Sequence, residues 1–115
     1  MNGIVFYATE RLDAVVDFYV ERLGASVRIE QPDCTILGYG DFRFGFCARE
    51  RADTCGILTF VYPDREGVDR AHGRLADVAR EEPHENPKYD IYQFFADDPE
   101  GRAVECQAFL GDVDL

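Results

Sequence analysis

The sequence predicts an α+β fold made of two copies of one unit, each a strand, a helix and three further strands. The same order of apolar segments runs through residues 1–50 and again through about 54–110, and each half contains one amphipathic helical pattern. Neither half is long enough to be stable alone. Because each helix covers one face of a sheet, the other face is left to curve. We therefore predict a single domain, residues 1–115, of tandem βαβββ modules whose mixed sheets form a cup.

The first module begins with an apolar strand at residues 3–8. A helix is predicted within residues 10–24, and Gly24 is a natural end for it. Its apolar side chains recur at helical spacing: Leu12, Val15, Val16, Tyr19 and Leu23. Three strand-like segments follow, separated by residues typical of turns, at residues 25–30, 35–39 and 42–48.

The second module repeats this order. Residues 55–62 form a strand pattern, and residues 68–79 a helical one. The apolar face of this helix carries Val68, Ala71, Leu75 and Ala79. A weak segment at residues 82–85 and strands at residues 89–96 and 102–109 complete the module.

The charge balance excludes one class of partner. The chain has 23 acidic and 12 basic residues and a formal net charge of −11, spread evenly along its length. Nucleic acid would be repelled. An even acidic coat favours solubility at high salt, so we predict a halophilic host. The alternative is that the charge attracts a cationic ligand.

Cysteine usage and apolar run lengths favour the cytoplasm. The four cysteines form no CxxC pair, and we predict that all are reduced core or near-core residues: Cys34, Cys47, Cys55 and Cys106. No apolar stretch has the length of a membrane span, and no signal-peptide pattern is present.

Two motifs carry a family resemblance. The helix segment AVVDFYVERLGA and the final segment DDPEGRAVECQ lie in different modules, and together they resemble the vicinal oxygen chelate superfamily. That superfamily includes glyoxalase I, extradiol dioxygenases and bleomycin-resistance proteins. The resemblance covers essentially the whole chain and implies paired βαβββ modules, a homodimer, and cups that hold a small ligand or a divalent metal.

The metal set that the resemblance implies is not matched by this sequence. Enzymes of the superfamily draw four His, Gln or Glu ligands from their strands. The corresponding positions here are Ile4, one of Phe44, Gly45 and Phe46, Ile57 with Cys55 as the nearest donor, and Glu105. Only the position of Glu105 matches the implied ligand types, whereas catalytic zinc needs about three protein ligands. We predict no metal and no cofactor, and we assign packing or loop positions to His72 and His84.

Strand alternation places Glu105 in the predicted cup. Ala103, Glu105 and Gln107 fall on one face of the last strand, opposite a set that suits packing under a helix: Val104, Cys106 and Ala108. A buried carboxylate needs a partner. If Phe42, Phe44 and Phe46 pack under a helix, Arg43 points into the cup and is the candidate partner; a ligand is the other.

We interpret the cup as a metal-free pocket that binds a small organic molecule without catalysis. The predicted contacts are Glu105, Gln107, Arg43 and Thr59, with Phe6, Tyr39 and Phe95 as aromatic walls. One alternative is a lyase, isomerase or dioxygenase, either metal-dependent or using Glu105 as general base. The other is a structural relic that binds nothing.

Overall fold

The structure is a computed structural model that describes all residues from Met1 to Leu115. The chain divides into two compact units, Met1–Thr54 and Cys55–Leu115. Each unit contains one helix and one four-stranded sheet, in the order strand, helix, three strands. The predicted α+β class with two βαβββ units is confirmed.

The first unit is a mixed sheet with one helix. Its elements are β1 (Val5–Thr9), α1 (Leu12–Leu23), β2 (Ser26–Glu30), β3 (Cys34–Tyr39) and β4 (Phe42–Ala48). The strands lie in the order β1-β4-β3-β2, with β1 parallel to β4 and the other pairs antiparallel.

Aromatic packing joins α1 to its sheet. The ring centroid of Tyr19 lies 5.4 Å from that of Phe44 and 5.3 Å from that of Phe46, and all three side chains are fully buried. These phenylalanines therefore face the helix, as their alternation in β4 predicts. Gly24 ends α1 in the left-handed conformation, with φ of 79°, and its N–H donates to the carbonyl of Val20.

The second unit repeats the same topology. Its elements are β5 (Ile57–Val61), α2 (Arg65–Leu75), β6 (His84–Asn86), β7 (Ile91–Asp97) and β8 (Ala103–Phe109). The strand order β5-β8-β7-β6, with only β5 and β8 parallel, matches the first unit position for position. This agreement supports the predicted internal duplication. Neither helix combines the length and the apolar run that spanning a membrane requires.

Helix α2 is shifted toward the N-terminus from its predicted range. It begins after Asp64, whose carboxylate accepts a hydrogen bond from the backbone N–H of Gly67 at 2.8 Å. It ends at Leu75, so the prediction that Ala79 belongs to the helix is wrong. Ala79 instead forms a β-bridge with Ala96. Backbone hydrogen bonds to β7 replace the helical ones at this point.

Two cysteines correct the prediction that all four are reduced. Cys34 and Cys47 face each other in the β3–β4 register and form a disulfide, with their Cα atoms 4.0 Å apart. The hairpin register places the two cysteines opposite each other. Their separation of 13 residues in sequence does not by itself indicate this pairing. Cys106 is a buried free thiol, as predicted, and Cys55 is an exposed one.

Candidate functional site

The site is built on β8, an interior strand of its sheet that carries Glu105. Val104, Cys106 and Ala108 are fully buried, and α2 packs on this strand. Glu105 and Gln107 therefore lie on the opposite face of the sheet, as alternation predicts. Across that face Glu105 is paired with Thr59 of β5 and Phe95 of β7.

A buried ion cluster holds the turn that leads into β8. The side chain of Arg102 is fully buried, and its Nη1 donates to Asp98 Oδ2 at 3.1 Å and to Glu100 Oε1 at 3.0 Å. Asp98 Oδ1 also accepts the backbone N–H groups of Glu100 and Arg102, both at 2.9 Å. Burial opposes the charge of the guanidinium, but the bonds and charges of both carboxylates outweigh it and raise the pKa of Arg102. This cluster anchors the start of the strand on which Glu105 sits.

Glu105 is held by neutral donors. It is 7% exposed, and Thr59 Oγ1 donates to its Oε1 at 2.9 Å. Gln93 Nε2 donates to its Oε2 in a short contact, and Asn86 Nδ2 donates to Gln93 Oε1 at 2.7 Å. One hydrogen bond thus reaches the carboxylate directly from β5, and a series of two reaches it from β6 through Gln93 of β7. They satisfy a buried acid without a cation.

Arg43 is not the partner of Glu105, which corrects the predicted pairing. Its Nη1 donates to the carbonyls of Gly40 at 2.7 Å and Phe42 at 3.1 Å, both beside it in the β3–β4 hairpin. Hydroxyl and amide donors from neighbouring strands take the role assigned to the guanidinium.

A cavity of about 530 Å³ opens beside Glu105 within the second unit. Its walls are mostly apolar or aromatic and its polar groups are an acid and three amides: Ile57, Asn86, Tyr89, Ile91, Gln93, Phe95, Glu105, Gln107 and Phe109. No basic residue lines it. The side-chain amide of Gln107 has no hydrogen-bond partner in the protein, so it remains available to a bound molecule.

The predicted contact residues separate into two groups. Glu105, Gln107 and Phe95 line the cavity, and Thr59 supports Glu105 through its hydrogen bond. The other three belong to the first unit and line no part of this cavity: Phe6, Tyr39 and Arg43. The cavity thus unites three of the seven predicted contact residues, with Thr59 as a supporting neighbour.

Solved structures match the chain over almost its full length. A glyoxalase/bleomycin resistance protein/dioxygenase family enzyme from Burkholderia phytofirmans PsJN superposes with a TM-score of 0.81, covering 93% of this chain and 97% of its own, at 22% identity. The chain has the vicinal oxygen chelate fold. No protein-family model and no curated protein matches the sequence.

Two further structures with the vicinal oxygen chelate fold give the same result. A glyoxalase/bleomycin resistance protein/dioxygenase from Alicyclobacillus acidocaldarius has a TM-score of 0.79 at 17% identity, covering 97% of this chain and 93% of its own. A lactoylglutathione lyase from Agrobacterium tumefaciens has a TM-score of 0.74 at 22% identity, covering 94% and 91%. At these identities the fold is what the proteins share.

A divalent metal does not fit the residues that this fold places in the cavity. No three His, Cys, Asp or Glu side chains lie close enough together to hold an ion. Glu105 is the only carboxylate lining the cavity, and both of its oxygens accept protein hydrogen bonds. Neither histidine lies there: the ring of His72 packs edge-on to Phe94 at 5.0 Å, and His84 Nδ1 lies 3.2 Å from the carbonyl of Glu82.

Sequence reasoning missed the residue that completes the Glu105 network. Gln93 is a polar side chain inside the apolar strand β7, and it is 4% exposed. The reasoning that singled out Glu105 applies to it equally, because a lone polar group in a buried strand needs a partner. Asn86 and Tyr89 gave no comparable signal, since polar residues and tyrosine are ordinary in a loop-like segment.

Proposed function

We propose that the second unit binds a small organic molecule in the cavity beside Glu105, without a metal ion and without catalysis. The observation that supports this most directly is the combination of apolar walls with one polar end, formed by the hydrogen-bonded carboxylate and the unpartnered amide of Gln107. Binding pockets for small molecules commonly pair an apolar lining with a few fixed polar groups. The volume of about 530 Å³ is in the range of such pockets.

The polar end favours a ligand with a cationic or N–H donor group. A carboxylate offers about four acceptor positions, and Thr59 and Gln93 use two of them. With no basic residue in the lining, a positive group on the ligand would offset the buried negative charge. The rings of Tyr89, Phe95 and Phe109 suit an aromatic body. We therefore expect a small aromatic amine or a molecule of that type.

A thermal-shift experiment with two probes of similar skeleton tests the proposal. Phenethylamine, which is cationic at neutral pH, should raise the melting temperature, because a ligand that binds only the folded protein stabilises it. 3-Phenylpropionate carries the opposite charge and should leave Glu105 without a complement. Any shift in melting temperature that 3-phenylpropionate causes should therefore be the same with and without the negative charge of Glu105.

Glu105→Gln is the matching variant. It removes the charge and keeps the shape, and the Thr59 hydroxyl can rotate to accept from the new amide, so the fold should persist. The phenethylamine shift should be lost. Glu66→Gln, at an exposed site on α2, is the control and should keep the shift.

A Glu105→Gln variant that unfolds, together with no shift by any probe, would favour the structural relic. A full equivalent of metal per chain in untagged protein would favour a lyase, isomerase or dioxygenase.

We also propose a homodimer. Apolar side chains are exposed on β1 and β5, each of which is an edge strand of its sheet: Val5, Phe6 and Val61. Exposed apolar groups on sheet edges are typical of surfaces that another chain covers. Light scattering coupled to gel filtration should give twice the chain mass, and the chain mass itself would overturn this proposal.

We propose cytoplasmic residence in a host with high internal salt. The even acidic coat, with a net charge of −11, supports the salt-rich environment. The Cys34–Cys47 disulfide points to an oxidising compartment instead, because most cytoplasms keep protein thiols reduced, and this opposition makes the localisation testable. Alkylation of thiols at the moment of lysis, followed by mass spectrometry, should find these two cysteines modified if the protein resides in a reducing cytoplasm. Unmodified cysteines would indicate an oxidising compartment.

A further inference from the structure

The open face of the first unit's sheet contains a second, smaller opening with a different chemistry. Its volume is about 280 Å³, and it is lined by Asn2, Ile4, Arg28, Ile29, Ile36 and Arg43. Two arginines thus line the opening together with three isoleucines, and no acidic residue lines it. This is unusual in a chain with 23 acidic residues.

A β-bulge directs Arg28 to this opening. In the β2–β3 register, Val27 pairs with Leu37 and Ile29 pairs with Ile36. Arg28 is therefore an extra residue in β2 that has no paired residue in β3. A bulge of this kind breaks strict alternation and turns a side chain to a new direction. Arg28 and its neighbour Ile29 consequently both line the same opening.

Gly38 makes room for the two arginines. It pairs with Arg43 in the β3–β4 register. A Cβ atom at this position would lie 3.0 Å from Arg28 Cγ and 3.0 Å from Arg43 Nη1. Any larger residue would therefore push on both side chains. Because Gly38 has no side chain, the side chains of Arg28 and Arg43 can both lie over this position of the sheet.

These two arginines have no carboxylate partner. Six other arginines form ion pairs with acids: Arg49, Arg51, Arg65, Arg70, Arg80 and Arg102. Arg28 has no hydrogen-bond or ion-pair partner for its guanidinium, and Arg43 donates to two backbone carbonyls. Both side chains approach Gly38, so two positive charges lie on this part of the sheet, and a bound anion would offset them.

We propose that this opening binds the carboxylate or phosphate group of a small molecule between Arg28 and Arg43, with the apolar part of the molecule on Ile4, Ile29 and Ile36. The guanidinium fork matches the oxygens of either anion and can donate two hydrogen bonds to it. The site lies within the first unit, and its ligand chemistry is opposite in charge to that expected beside Glu105. It is therefore independent of the function proposed for the second unit.

Nuclear magnetic resonance titration with benzoate, phenyl phosphate and inorganic phosphate tests this site. The amide signals of Arg28, Gly38 and Arg43 should shift saturably with benzoate or phenyl phosphate, at the lowest salt concentration that keeps the protein folded. Benzyl alcohol, which lacks the anion, should cause no such shift. Comparison of the dissociation constants of benzoate and phenyl phosphate shows whether the site prefers a carboxylate or a phosphate. Inorganic phosphate should bind more weakly than phenyl phosphate, because it cannot contact the isoleucines.

Arg28→Gln is the decisive variant, because this side chain has no protein partner whose loss would disturb the fold. It should weaken binding of the preferred anion roughly tenfold, equivalent to about 1.4 kcal/mol. Gly38→Ala should weaken it as well by displacing the flexible arginines, whereas Arg70→Gln, in the second unit, should not.

Unchanged affinity in Arg28→Gln, equal binding of benzyl alcohol and benzoate, or the absence of saturable shifts would each overturn the proposal. Loss of anion binding in Arg28→Gln with phenethylamine binding retained would separate this site from the cavity beside Glu105. Absence of any phenethylamine shift in the wild type, with anion binding between Arg28 and Arg43 retained, would refute the function proposed for the second unit and leave this one standing.

Discussion

Glu105 illustrates how a buried acid is accommodated without a cation. Thr59 and Gln93 supply one hydrogen bond to each of its oxygens, and Asn86 fixes the orientation of the Gln93 amide. Neutral donors satisfy the carboxylate but do not cancel its charge, and no basic residue lines the cavity to do so. The same residue would be a metal ligand only beside other donors, which these strands do not provide.

The two free thiols should differ sharply in reactivity. Cys106 is fully buried under α2, and desolvation of its thiolate raises its pKa to about 12. Cys55 is exposed. A chromogenic disulfide reagent near neutral pH should therefore label Cys55 in the folded protein and reach Cys106 only after denaturation. Labelling of both thiols at equal rates in the folded protein would contradict this assignment.

The raised pKa of Cys106 also predicts a pH dependence of stability. The folded state keeps the proton up to about pH 12, while the unfolded thiol loses it near its ordinary pKa of 9.0. This contribution to stability is therefore complete below pH 9 and is lost as the pH rises from about 9 to 12. In a Cys55→Ser background, denaturant midpoints should fall more steeply above pH 9 for the parent than for Cys106→Ala. Parallel slopes for the two proteins would count against this linkage.

At the scale of elements, the β3–β4 hairpin is closed covalently as well as by its hydrogen bonds. Cys34 and Cys47 lie at the open end of the hairpin, 13 residues apart in sequence. The strands also carry the aromatic residues that pack on α1 and, on the other face, the position of Gly38. The disulfide thus holds together the strands that position both faces of the first unit.

Reduction of the disulfide should destabilise the protein. A crosslink closing a loop of about 15 residues is worth roughly 3 kcal/mol in the chain-entropy model. Dithiothreitol should therefore lower the denaturant midpoint of the wild type. The double variant Cys34→Ala and Cys47→Ala should start from the lower value and not respond to the reductant. An identical midpoint for the wild type with and without reductant would argue against the crosslink.

The helices show how far local signals reach. The apolar spacing and Gly24 predict both the face and the end of α1. For α2 the face is correct but the end is not, because the backbone after Leu75 bonds to β7 instead of continuing the helix. A helix end that is set by hydrogen bonds to a distant strand has no signal in the sequence of the helix itself.

At the scale of the whole molecule, two units of one topology each have an opening, and the charged residues that line the two openings have opposite signs. Both sheets have the same strand order and the same parallel pair. The opening on the first contains Arg28 and Arg43, and the cavity on the second contains Glu105. The two openings thus differ in charge although the two units share one strand order.

The net charge of −11 predicts that salt stabilises the molecule. Self-repulsion among acidic groups falls as the screening length shortens from roughly 10 Å at 0.1 M salt to about 3 Å at 1 M. The melting temperature should therefore rise with KCl over this range. Sorbitol at matched osmotic strength provides the control for effects unrelated to charge. A melting temperature that is constant or lower in KCl would refute a halophilic adaptation.

The sequence by itself determined the order of elements, the buried face of each helix and the direction of Glu105. These features follow from periodicities of about 3.6 and 2 residues, which are local properties of the chain. The partners of Glu105 and the Cys34–Cys47 bond were decided only by the tertiary structure. Thr59 lies 46 residues from Glu105 and meets it through the register of β5 against β8. Register between distant strands depends on the packing of the whole unit, and no local pattern encodes it.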